Sequence, residues 1–380
     1  MSAVEPERAA RAYLLRVAEP PAPGLVEFVG AHGPVVAAER VRRGDCPPKI
    51  REETSARREH DLVERDLAWA AGTGARLVIP EDEEWPAWPL HSLSVAAGRG
   101  VQGSSPPLAL WVRGDLSLAD VAGGAVAIVG ARAATSYGEH WATELAYGLA
   151  TRGMAVFSGA AYGVDGAAHR GALTAGGPTV AVLGCALDAG YPAGHVSLLN
   201  RITANGGAVV SEYPPGTPPA RHRFLVRNRL IAALTEGTVV IEAGRRSGAR
   251  NTAGTAGALG KVVMALPGPV SSAMSVGCHT LIRESYATLI ASVDDIVETV
   301  GRFGSAEAEP ERPRRATDGL APDALRVYDA LTPRAGRSAE QVAADSGVPV
   351  GKVRALLPAL EIDGFAARGE VGWRRCPRRS

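Results

Sequence analysis

Between residues 125 and 277, short unbroken apolar runs alternate with amphipathic stretches. The runs are 126–129, 155–157, 179–183, 208–210, 238–241 and 262–266. They end on small or polar residues: Gly130, Ser158-Gly159, Gly184, Ser211-Glu212, Glu242-Ala243-Gly244 and Pro267-Gly268. After the first run, Trp141, Leu145 and Leu149 recur at helical spacing. Continuous apolar strands alternating with helices predict an α/β fold whose parallel sheet is covered on both faces. Ligands of such sheets sit beyond the carboxyl ends of the strands. Glycine there lets a backbone or phosphate come close, and helix N-termini favour anions. The pattern therefore predicts a partner that carries phosphate.

The flanks read differently. Short helices are expected at 8–17 and 23–31 and in a charged stretch at 50–71, with breaks at Pro20-Pro21 and Gly44-Asp45. Residues 75–79 and 108–115 look like strands on either side of a Gly/Ser/Pro loop. Residues 303–317 are polar and aperiodic, as in a linker. In the last segment Leu325, Val327, Tyr328 and Leu331 mark one helix. Ser338 caps a second, with Gln341 in the capping-box position, and 350–362 forms a third. FAARGEVGWRR then reads as a hairpin turning near Gly369, which completes a winged-helix pattern. The expected organisation is a helical extension (1–75), a core (76–302), a linker (303–317) and a winged helix (318–380).

Composition narrows the chemistry. The 380 residues are 46% hydrophobic and carry a net charge of +1, so any contact with nucleic acid must come from local patches. Cys46, Cys185, Cys278 and Cys376 are far apart with no CxxC pair, which argues against zinc and disulfides and fits a reducing cytoplasm. The N-terminus has early acids and no long apolar core, so it is not read as a signal peptide. No uncharged apolar run reaches the ~18 residues of a membrane span. No metal or cofactor is expected.

Neither GxGxxG nor GxxxxGK[ST] follows the first strand, which weighs against dinucleotide binding and phosphate-loop ATP hydrolysis. Arg132, just after Gly130 at a helix start, is placed for a phosphate oxygen. Ser158 and Gly159 offer a hydroxyl and a backbone N–H. Asp165 and His169, four apart on one helix face, are either an acid–base pair or positioning groups, and the second reading is favoured because no third group orients the histidine. Arg221, His222, Arg223, Arg227 and Arg229 surround Phe224, which suits a single strand whose phosphates meet cations while a base stacks on the ring. Asn228 lies within that stretch. Glu242 can serve as a catalytic base or pair with Arg227 or Arg229, and the ion pair is favoured.

Eight motifs then occur in order: AIVGAR (127–132), SGAAYGVD (158–165), AVLGCALDAGYP (181–192), SEYPPG (211–216), FLVRNRLIAAL (224–234), VIEAGRRSG (240–248), ALPG (265–268) and GCHTLI (277–282). Together they resemble the DNA-processing protein A (DprA/Smf) family. The resemblance implies an extended Rossmann-like core that binds single-stranded DNA, delivers it to the RecA recombinase in natural transformation and recombination, and dimerises through the core without catalytic turnover. It implies a phosphate-cradling set of Gly130, Arg132, Ser158, Gly159, Arg227, Asn228, Arg229, Ser247 and Gly248, with Asp165, His169, Glu212 and Glu242 as structural or positioning groups. Tyr162 and Val226 stand where the family often has a basic residue, and SGARNTA replaces SGSLITA. The competing reading is a nucleoside monophosphate phosphoribohydrolase using Glu242 and Arg132, but the PGGxGTxxE run of such enzymes is missing. The C-terminal hairpin carries Arg368, Arg374, Arg375 and Trp373, with Arg378 and Arg379 beyond it, which suits DNA and protein partners equally.

Overall fold

The structure, a computed structural model, describes residues 5–245, 247–301, 317 and 319–376. Residues 303–316, read as a linker, lie outside the described residues, as do Arg378 and Arg379. The described residues belong to two units, divided between Arg302 and Phe303.

The first unit opens with helices α1 (Pro6–Val17), α2 (Pro23–His32), α3 (Pro34–Arg43), α4 (Pro48–Thr54) and α5 (Val63–Gly72). The first four each begin on proline, whose fixed φ suits a helix start and whose missing N–H costs nothing there. The sequence pattern gave no sign of α3, whose buried side is only Ala37, Ala38 and Val41. The charged stretch at 50–71 divides between α4 and α5.

Then come β1 (Ala75–Val78), α6 (Ala87–Gly98), β2 (Leu110–Arg113), α7 (Leu118–Ala122), β3 (Val126–Gly130), α8 (Ser136–Ala150) and β4 (Val156–Ser158). They continue as α9 (Val164–Thr174), β5 (Thr179–Leu183), α10 (Val196–Ala204), β6 (Ala208–Ser211), α11 (Arg221–Ala233) and β7 (Gly237–Ile241). The unit closes with α12 (Gly248–Ala258), β8 (Val262–Ala265), α13 (Val276–Arg283), β9 (Thr288–Leu289) and α14 (Val293–Val300).

The strands form one nine-stranded sheet ordered β1-β2-β6-β5-β4-β3-β7-β8-β9. From β6 to β9 the pairing is parallel, while β2 joins β6, and β1 joins β2, antiparallel. Strands β3 to β8 fall on the six apolar runs. Side chains alternate between faces as the pleat requires. Val126, Ile128, Val156, Val239 and Ile241 pack with α8 and α9 on one face. Ala127, Val129, Phe157, Val182 and Val240 pack with α6, α11 and α12 on the other. The chain leaves β3 toward β4 on one side and returns as β7 on the other, so the crevice of this doubly wound sheet opens between Gly130 and Ile241.

The N-terminal helices share a core with the sheet, in which Tyr13, Leu14 and Leu25 join Leu77, Trp111 and Leu183. Arginines fasten them further. Arg8 pairs with Asp82 at 2.7 Å and Arg11 with Glu81 at 2.7 Å. Arg16 pairs with the buried Asp66 and donates to the Pro215 carbonyl at 2.8 Å.

The second unit packs α15 (Pro322–Ala330), α16 (Ala339–Ser346) and α17 (Val350–Ile362) beside the hairpin β10 (Ala366–Gly369) and β11 (Gly372–Arg375). Its core holds Val327, Val342, Val353, Leu357, Leu360 and Phe365. Ser338 and Gln341 form the full capping box of α16.

Because the extension and the sheet share one core, denaturant should unfold them in one transition. Asp66→Ala strips the buried partner from Arg16 and should cost about 3–5 kcal/mol. Urea titration read by far-UV circular dichroism checks both expectations.

Candidate nucleic-acid interface

A cleft of ≈ 910 Å³ lies at the carboxyl ends of the strands, bordered by Gly130, Arg132, Phe224, Arg227, Asn228 and Ser247 among others. Three helix starts reach it, through Asp165 on α9, Arg221 on α11 and Gly248 on α12. Each brings the positive end of a helix toward the cleft. Among the described lining residues the cations are Arg132, Arg221 and Arg227, and the carboxylate is Asp165.

Arg132 is exposed, with no carboxylate at ion-pair distance among the described residues, and its guanidinium lies over the Phe224 ring at 5.4 Å. Phe224 is half-buried, and its other ring neighbour is Tyr191, at 5.3 Å between centroids. The cleft mouth thus joins an unneutralised cation to an aromatic surface.

Arg227 forms the floor. It donates to the carbonyls of Gly159, at 3.0 Å, and Val182, joining the ends of β4 and β5. Burial lowers its pKa to about 10, against the pull of Asp165, so it stays charged at neutral pH. Gly159 is required for this, because a Cβ there would lie 2.4 Å from an Arg227 nitrogen. Gly130 serves strand packing, since a Cβ would meet the Ile241 carbonyl at 1.9 Å.

Several residues grouped with the phosphate set are committed elsewhere. The Ser158 hydroxyl is fully buried and donates to the Ile128 carbonyl at 2.7 Å, tying β4 to β3. The Gly159 N–H donates to Asp165 at 3.1 Å. Arg229 points away from the cleft, bonded to both carboxylate oxygens of Glu212 at 2.7 and 2.8 Å and to the Ser105 carbonyl at 3.0 Å. Both partners are buried, so this is an internal ion pair. The pairing favoured for Glu242 is corrected: it takes neither arginine but accepts from the Thr135 N–H at 2.8 Å and from the Thr135 hydroxyl, holding the start of α8. In the basic stretch before α11, Arg223 and His222 both turn to Glu19, at 2.7 and 3.2 Å. Arg221 remains exposed at the cleft.

Asp165 also accepts from the Ala161 N–H at 3.3 Å and so pins the loop after β4. Burial pushes its carboxyl up, while Arg227 and Arg132 pull it down. His169 is buried behind it. The Thr179 hydroxyl already donates to the Val156 carbonyl, so the His169 Nδ1–H donates to Thr179 Oγ1, at 2.8 Å. Thr179 is the orienting group that the sequence pattern did not reveal. Burial drops the His169 pKa to about 3, which keeps the ring neutral.

Ser247 caps α12 by accepting from the Ala249 N–H at 3.1 Å, and Gly248 opens that helix at the cleft. Asn228 donates from Nδ2 to Asn251 Oδ1 at 3.1 Å. Asn251 lines the cleft without having been singled out beforehand; its one signal was the SGARNTA departure. Tyr162 is exposed, and its hydroxyl accepts from the Gly194 N–H at 3.2 Å. Ala160 and Glu242, at the ends of β4 and β7, have φ of 54° and 51°, strain of the kind that collects at functional sites.

The fold is that of a Rossmann-like protein with a cleft at the carboxyl ends of its strands and a C-terminal winged helix. The chain belongs to the DNA recombination-mediator protein A family, whose model matches residues 76–301, and the model of the DprA winged helix domain matches 310–370. It is 49% identical over 371 residues to a Mycobacterium tuberculosis protein described as a DNA processing protein, DprA, covering 98% of this chain and 95% of that one. It is 35% identical over 324 residues to protein Smf of Escherichia coli, covering 83% and 81%. The X-ray structure of DprA from Streptococcus pneumoniae superposes with a TM-score of 0.55 at 30% identity, over 76% of this chain and 92% of that one. No described helix is long and apolar enough to cross a membrane.

Glu212→Ala leaves Arg229 charged and buried and should lower stability by about 3–5 kcal/mol, seen as a large drop in melting temperature. His169 generates a pH dependence. Its folded pKa lies below the ordinary 6.5, so the unfolded chain binds the proton first. The stabilisation is complete above pH 6.5 and is lost as pH falls toward 3, on the order of 5 kcal/mol in all. His169→Gln should flatten this acid limb in urea titrations across that range.

Proposed function

We propose that the chain binds single-stranded DNA along the cleft and delivers it to the RecA recombinase, acting without turnover in DNA uptake, natural transformation and recombination. One observation carries this reading: the exposed guanidinium of Arg132 over the half-buried ring of Phe224 at the switch-point cleft. A cation beside an aromatic face suits an unstacked base and its phosphate, which a duplex does not present. Arg132 and Arg221 meet the phosphates, Gly248 and Ser247 add the start of α12, and Arg227 supplies buried positive charge beneath. Asn228 and Gly130 shape the floor. Ser158, Gly159, Arg229 and Glu212 hold the scaffold.

The family description as a recombination mediator supports delivery to a recombinase. The working unit is a homodimer joined through the core, in the cytoplasm. Glu242, the carboxylate an N-glycosidic enzyme would use, is engaged by Thr135, which favours binding over hydrolysis.

Fluorescence anisotropy with a labelled oligo-dT at several salt concentrations tests the site. Arg132→Ala should weaken binding about tenfold and reduce the salt slope by about 0.7, one phosphate contact on a single strand. Phe224→Ala should lose about 1–3 kcal/mol with the slope unchanged. Affinity that survives both substitutions but disappears on deletion of 318–380 would move the site to the winged helix. Faster RecA nucleation on the bound strand tests delivery.

A further inference from the structure

Hydrogen-bond polarity runs in one direction across the cleft floor. Arg227 Nε can only donate, and it faces Asn228 Oδ1 at 3.3 Å. That contact fixes which end of the Asn228 amide is oxygen, so its nitrogen points onward and donates to Asn251 Oδ1 at 3.1 Å. The line ends on Asn251 Nδ2, which has no protein partner among the described residues. Asn251 is exposed on α12 and borders the cleft, whose lining also includes Asn228, Ile231, Ser247, Ala249 and Met274. The cations Arg132 and Arg221 stand on other elements, at the ends of β3 and α11.

We propose that Asn251 Nδ2 donates to O4 of thymine or O6 of guanine in the bound strand, the position where cytosine and adenine carry an amino group, so that the cleft favours thymine or guanine there. The inference rests on the single-strand reading above. An uncharged amide suits a base edge better than a phosphate. The group offered at the end of the line is a donor. It meets O4 of thymine or O6 of guanine productively, but opposes the amino group of cytosine or adenine. Because Asn251 is uncharged, its contribution is independent of salt.

The test compares dT12 with dC12, two pyrimidine strands that differ in the group offered, O4 against the N4 amino group. Anisotropy titrations use the full chain as wild type, Asn251→Ile, Asn251→Asp and Arg132→Ala, with a thermal melt of each variant. Wild type should prefer dT12 about three- to tenfold, the worth of one neutral hydrogen bond. Asn251→Ile should bind both strands alike. Asn251→Asp, now an acceptor, should shift the preference toward dC12. Arg132→Ala should weaken both strands equally and keep the preference. Equal wild-type affinities, or a dT12 preference that survives Asn251→Ile, would overturn the inference while leaving strand binding intact. Failure of wild type to bind either strand would overturn the single-strand reading, and this inference with it.

Discussion

The cleft depends on one buried guanidinium. Arg227 spans the ends of two neighbouring strands, donating to both carbonyls while its Nε orients Asn228. A buried cation is costly unless it is compensated. Here strand-end carbonyls, an amide oxygen and the Asp165 carboxylate supply the compensation. Asp165 holds the loop after β4 in turn, so the positions of Gly159, Ala161 and Arg227 are mutually determined. The floor is therefore rigid and only mildly positive. The groups that can meet a polyanion without giving up an existing partner stand at the rim, Arg132 above all.

Much of the sheet was legible because parallel strands covered on both faces leave unbroken apolar runs, and six of the nine strands announced themselves that way. β9 did not, because two exposed residues at a sheet edge carry no pattern. α3 was hidden because small residues form its buried side. In the site, sequence located the arginines but not their direction. Arg227 and Arg229 are two apart on one helix, so they diverge; one reaches the cleft floor and the other an internal carboxylate. Glu212 and Glu242 both end strands, yet one meets Arg229 and the other Thr135. The partners of Arg223 and His222 came from Glu19, some two hundred residues upstream, and no local pattern could reveal that contact.

The winged helix, taken by itself, shows the same economy of charge. Lys352 and Arg354 of α17 are both engaged, with Asp323 and Glu340, each at 2.5 Å. Arg368 and Arg375 lie over the rings of Trp373 and Tyr328. In the hairpin Arg374 is exposed.

The sparse positive rim of the cleft has a kinetic consequence. With a net charge of +1 the chain creates little long-range field, and the cleft's cations act only within a Debye length, ~8 Å at physiological ionic strength. On the reading proposed above, a strand is captured by collision at close range and not drawn in from a distance. On the single-strand reading proposed above, weak long-range attraction also limits idle occupancy of duplex, since that sequence-independent attraction is what duplex chiefly offers.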